Sequence, residues 1–173
     1  MQLKTRLYLV LVLAFTLFSP NLLASLSSEI GLELRYFPET GAAGQDTFQP
    51  SIRGEIEFGE RRGDNSFDVV LFGRVDKEDS ERSHVDVREA LWTHVGDEWE
   101  FKAGVTKVFW GVTESRHLVD VINQNDQVEN IDGEDKLGQP LTKLSFEKDW
   151  GTLDLFWLPY FRERSFTGVD GRL

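Results

Sequence analysis

Past residue 25 the sequence predicts an all-β protein: seven antiparallel strands in up-and-down order, forming part of a larger transmembrane β-barrel. Three observations predict it. Period-2 alternation of apolar and polar residues recurs along the chain, helical periodicity is hard to find, and the connections between the alternating segments are unequal, the odd-numbered ones averaging longer than the even-numbered ones.

Residues 1–24 precede that pattern and read as a cleaved export signal. Lys4 and Arg6 stand before an apolar run over residues 7–18, and Pro20 and Asn21 interrupt it short of the roughly 20 residues that a membrane-spanning helix needs. Cleavage is expected after Ala24, and no cysteine follows that would mark a lipoprotein.

The first strand is expected over residues 29–37, with Ile30, Leu32, Leu34 and Tyr36 on one face and Glu33 and Arg35 on the other. The second covers 49–58, where Ile52, Ile56 and Phe58 oppose Arg53, Glu55 and Glu57. The third covers 67–75, where Phe67, Val69, Leu71 and Val75 oppose Asp68 and Arg74. The fourth covers 84–95 and breaks the rule, because strict alternation puts Glu89 beside Val85, Val87, Leu91 and Val95. A β-bulge near Arg88 and Glu89 would re-aim the chain; otherwise Glu89 must meet a loop or a subunit. The fifth covers 98–105, with Trp99, Phe101, Ala103 and Val105 opposite Glu100 and Lys102; the sixth covers 141–147 and the seventh 152–158.

The connections fall at 38–48, 59–66, 76–83, 96–97, 106–140 and 148–151. Short turns at one end and long loops at the other are a barrel's asymmetry, although the second turn reads as long as the third loop. Phe58, Phe67, Trp92, Trp99, Phe146 and Trp150 flank the short turns, and Tyr36, Phe37 and Phe48 flank the first long loop, as interfacial aromatic girdles do. Single-chain bacterial barrels have an even number of strands. Seven strands, followed by residues 159–164 opening one more outer loop, therefore read as the N-terminal part of a longer barrel over 26–173.

The net charge is −11, and loss of Lys4 and Arg6 with the first 24 residues takes it to −13. Such acidity argues against nucleic acid as a partner. The absence of cysteine excludes disulfides, thiol catalysis and thiolate metal sites.

The stretch Phe101-Lys-Ala-Gly-Val-Thr-Lys-Val-Phe-Trp-Gly111 resembles the strand-to-loop passage of outer-membrane porins, where a glycine-containing strand leaves through a Trp-Gly pair into a long loop. Leu118-Val-Asp-Val-Ile-Asn123 with Asn125 and Asp126 resembles a porin-like loop motif of the Asp-Val-Val-Asn-Pro type, with Gln124 in place of the proline. The resemblance covers roughly residues 85–165. It implies an outer-membrane barrel of about 16 strands, passive transport rather than catalysis, no cofactor, and one long loop folded inward to narrow the pore. The partners that go with it are outer-membrane lipid and lipopolysaccharide, small solutes or ions, barrel assembly machinery and, in a homo-trimer, further copies of the chain.

The loop 106–140 is the candidate constriction. It carries Glu114, Asp120, Asp126, Glu129, Asp132, Glu134 and Asp135 against Lys107, Arg116 and Lys136, and the facing wall carries Arg35, Arg53, Arg74, Arg88, Lys102 and Lys143. Opposed acids and bases set up a transverse field, and rings of charge set ion preference; the bland reading is solvated loop and lumen charge. An EF-hand frame begun at Asp126 fails, with Val128 at its third position and Ile131 at its sixth. A barrel hydrolase would need His84 or His117 to converge with Asp86, Ser115 or Asp120. The alternative to a channel is a soluble periplasmic β-sheet binding protein. Alternation assigns residues to faces, but not what each face meets.

Overall fold

The computed structural model describes residues 23–109, 121–129 and 133–172. The expected export signal over residues 1–22 and the parts of the expected constriction loop at residues 110–120 and 130–132 lie outside them. The chain forms one seven-stranded antiparallel sheet in which each strand pairs with its sequence neighbours: β1 (Leu23–Tyr36), β2 (Phe48–Arg62), β3 (Asn65–Asp76), β4 (His84–Val95), β5 (Trp99–Thr106), β6 (Gln139–Lys148) and β7 (Gly151–Trp157). The sheet is open, with β1 and β7 at its edges, so the expected closure into a barrel is not met within these seven strands.

β1 starts at Leu23, before the expected cleavage point, and pairs with β2 over its whole length, from Leu23 opposite Arg61 to Tyr36 opposite Phe48. The second connection is much shorter than expected. β2 runs on to Arg62 and β3 begins at Asn65, leaving Gly63 and Asp64 as a two-residue turn. Gly63 takes φ +53 and Asp64 takes no positive φ, the II′ arrangement with glycine first. Polar flanks had hidden these strand ends, because Glu60, Arg61 and Ser66 read as loop. With this correction, all three short turns lie at one end of the sheet and the connections 37–47, 77–83 and 107–138 at the other.

The conflict at Glu89 resolves as a bulge. Val70 pairs with Glu89 and Leu71 with Val87, leaving Arg88 as the extra residue. Beyond it the alternation flips. Ala90 and Trp92 join Val85 and Val87, while Glu89 and Leu91 turn to the other side, which corrects the shared face read for Leu91 and Val95. Gly104 also has a steric reason: it takes φ +141, and a Cβ there would stand 2.0 Å from the Ala90 carbonyl oxygen.

The two faces differ in character. Leu26, Phe58, Val69, Ala90, Val105 and Pro140 form one apolar row across six strands. The face they belong to is bare, with Ile30 81%, Leu32 77% and Val85 86% exposed. Every buried strand residue lies on the opposite, polar face. Among the described residues five hydrophobic side chains are buried, Phe72, Leu91, Val128, Leu137 and Leu141, against fourteen polar or charged ones. Soluble domains bury apolar residues and seldom Asp, Glu or Arg; this chain does the reverse.

Candidate functional site

Two segments cover the polar face at the long-loop end. The first is the chain leaving β5. Asn123 ties its base: Nδ2 donates to the carbonyls of Thr106 and Leu137 at 3.0 and 2.9 Å, and Oδ1 accepts from the Val108 N–H at 2.8 Å. Asp126 N–H then donates to the Asp135 carbonyl and Leu137 N–H to the Gln124 carbonyl, both at 2.8 Å, which makes a small antiparallel finger. Asn123 belongs to the motif quoted for the porin resemblance, and its work here is to hold the loop's entry and exit together.

The second segment follows β7. Arg162 Nη2 donates to Asp86 Oδ1 at 2.6 Å, Ser165 Oγ to Asp126 Oδ1 at 3.1 Å, and Gly168 N–H to Asp79 Oδ2 at 3.0 Å. Gln49 Nε2 donates to the Asp170 carbonyl at 3.2 Å, and the Arg172 guanidinium lies 4.4 Å over the Phe37 ring. The segment thus runs from beside β7 to the connection between β1 and β2.

Beneath the finger lies a buried ionic network. Arg74, 4% exposed, donates from Nε and Nη2 to Glu129 at 2.9 and 2.6 Å, and from Nη1 to Glu33 Oε2 and Ser51 Oγ, both at 2.7 Å. Arg82, 1% exposed, donates to Asp76 Oδ2 at 2.8 Å, to the Val128 carbonyl at 3.2 Å and to Glu33 Oε1 at 3.4 Å. Asp79 caps the short 3-10 turn Ser80–Arg82 by accepting from the Glu81 N–H. Buried charge is tolerated only when paired and hydrogen-bonded, and here each guanidinium meets more than one acceptor.

Of the expected site residues, Arg35, Arg74 and Glu129 come together, with Arg35 Nη2 3.4 Å from the Glu129 carbonyl. Arg88 and Asp126 meet at 4.0 Å. Acid and base stand in contact at Arg74 and Glu129 instead of across a gap. Arg53 pairs with Glu29 at 3.1 Å, Lys102 with Glu100 at 2.9 Å and Lys143 with Asp154 at 3.2 Å, all away from the finger. Glu114, Arg116 and Asp120 lie outside the described residues. Sequence reasoning missed Asp76, Asp79, Arg82 and Arg162. For Asp79 a signal was present, since an Asp before Ser-Glu-Arg is a helix-cap pattern.

His84 sits with Nε2 3.8 Å from Glu129 Oε1 and Nδ1 3.1 Å from the Arg82 carbonyl, while Asp86 is engaged by Arg162. His117 and Ser115 lie outside the described residues. Among the described residues no group of three or more His, Cys, Asp or Glu side chains is placed to hold a metal ion. No protein-family model, curated protein or solved structure matches the chain.

Proposed function

We propose that this sheet is part of the wall of an outer-membrane β-barrel, and that the protein is a porin-like channel for passive passage of small solutes or ions. The observation that carries the reading is the inversion of the two faces: apolar side chains bare on six of the seven strands, charged side chains buried on the other side. In water such a face is a far larger apolar patch than a soluble monomer tolerates. Against lipid it is what the fold requires.

Dimensions support it. Phe48 and Phe58 lie ten residues apart on the apolar face of β2, about 33 Å along a strand rising ~3.3 Å per residue. A strand tilted by ~40° covers about 25 Å of that as height, the height of a lipid-facing band. Tyr36 and Phe48 stand paired near the long-loop end of the bare face, and Phe67, Trp92 and Trp99 nearer the turn end, as girdles would. The separation of short turns and long loops between the two ends is also a barrel trait. Seven strands in up-and-down order leave β1 and β7 running the same way, so sealing this sheet on itself would pair them in parallel. An antiparallel wall takes an odd number of further strands. The finger of residues 121–129 and 133–138 is the candidate constriction, over a lumen whose net acidity favours cations.

The test is to refold the protein expressed from its gene in detergent, compare boiled and unboiled samples on a denaturing gel, and add it to a planar bilayer. A heat-modifiable band with stepwise, cation-selective conductance is expected. A protein that stays in solution without detergent and conducts nothing would establish the periplasmic binding protein instead.

A further inference from the structure

We propose that the polar face carries a subsite for small zwitterions, solutes bearing both a carboxylate and an ammonium group, walled by Glu29, Arg53, Glu55 and Arg88 over the ring of Phe72. These side chains, with Gly54, line a cavity of about 90 Å³. At roughly 10–15 Å³ of such space per water it takes several waters, the bulk of a solute of about five or six heavy atoms.

Two local exceptions build it. Gly31 has no side chain, and a Cβ there would stand 2.9 Å from Arg53 Nε. The Arg53 side chain therefore lies down across β1 and brings Nη2 to 3.1 Å from Glu29 Oε1. On β4 the bulge presents Arg88 as an additional inward residue. Its guanidinium carbon lies 3.7 Å over the Phe72 ring, and Nη1 stands 3.6 Å from Glu55 Oε2.

Glu29 and Glu55 are direct cross-strand partners. Like charges so placed repel, and an ammonium group seated between them relieves the repulsion. Guanidinium forks of Arg53 and Arg88 present parallel N–H donors to a carboxylate. Both pairs are free to exchange partners: the Arg53 and Glu29 side chains are 48% and 71% exposed, and the Arg88–Glu55 contact is longer than a direct hydrogen bond. The Arg74–Glu129 pair differs in being buried and bidentate. A role for the subsite in transport rests on the channel reading, whereas its existence as a binding site does not.

The experiment is saturation-transfer NMR on the full chain in detergent, with glycine, acetate and methylammonium as probes. Saturable glycine binding is expected, about tenfold tighter than either singly charged probe. Arg53→Gln and Glu29→Gln remove exposed side chains and leave the fold intact, checked by unchanged thermal unfolding. Each should weaken glycine by about fivefold or more, and Gly31→Ala should do the same by lifting Arg53 off β1. Equal affinity for all three probes, binding of one singly charged probe alone, or glycine affinity unchanged in all the variants would overturn the subsite. Glycine binding without conductance would keep the subsite and remove the channel; conductance without glycine binding would do the reverse.

Discussion

At one end of the sheet the chain reverses on Gly63 and Asp64, on residues 96–98 and on residues 149–150; at the other it runs through 37–47, 77–83 and 107–138 before returning. The first end is held by local chemistry, a positive-φ glycine at Gly63 and a hydrogen bond from the Gly96 N–H to the Trp99 carbonyl at 2.8 Å. The second is held by contacts between residues far apart in sequence, Arg74 with Glu33 and Glu129, Arg82 with Val128, Arg162 with Asp86. The turn end can form pairwise as each hairpin closes. The loop end exists only once β1, β3, β4 and the finger are all in place, so its stability is cooperative and a single lost group is felt widely.

The largest break in that contrast should come from Arg74→Met. It leaves Glu129 buried without its bidentate partner, and a broken buried pair costs about 3–5 kcal/mol. Urea unfolding of the refolded protein should show that loss, and limited proteolysis should cut within 121–129 or 133–138 where the parent chain resists. Asn123→Ala should follow, at about 1–3 kcal/mol, because it strips partners from backbone groups at the loop's base. The same protease should then reach the finger without a large change in the sheet's unfolding. If cleavage does not increase in either variant, the finger is not held by these contacts.

At the turn end the effects should be smaller and confined. Gly63→Ala meets no neighbouring atom within 4 Å, so its cost is the positive φ alone, about 1–2 kcal/mol. Hydrogen exchange should rise at the β2–β3 hairpin and stay unchanged under the finger. The smallest effect is electrostatic. Glu98 lies in the turn before β5, and the hydrogen bond from Lys148, then its charge, hold the Glu98 carboxyl below its usual 4.5. A depressed carboxyl stabilises above its unfolded pKa, and that contribution is lost as the pH falls through the folded value. Because Glu98 is fully exposed, Glu98→Gln should differ only slightly from the parent at neutral pH, and the two unfolding curves should converge in acid and in high salt. A difference that persists in acid would show that Glu98 acts through something other than its charge.

The strand count and order were readable in advance because period-2 alternation needs only neighbours to be seen. Boundaries were less readable at polar ends: Glu60, Arg61 and Ser66 look like loop and are strand. The fourth strand shows where the pattern runs out. Glu89 in an apolar register announced an irregularity, but only the pairing of Val70 with Glu89 and Leu71 with Val87 located it at Arg88. Among site residues, Arg74 was visible as an inward base and Glu129 as a loop acid. Arg82 and Arg162 were not, since both stand in irregular chain where no period marks a face.

The sequence by itself determined the class, the seven strands, their order, and the division into an apolar and a charged face, because each of these follows from alternation and turn chemistry within a few residues. Only the tertiary structure decided which charges neutralise which, that the finger and the segment after β7 fold over the polar face, and that a glycine and a bulge bring Arg53 and Arg88 to Glu29 and Glu55. Those outcomes depend on register and on contacts between segments tens of residues apart, and a one-dimensional pattern does not specify either.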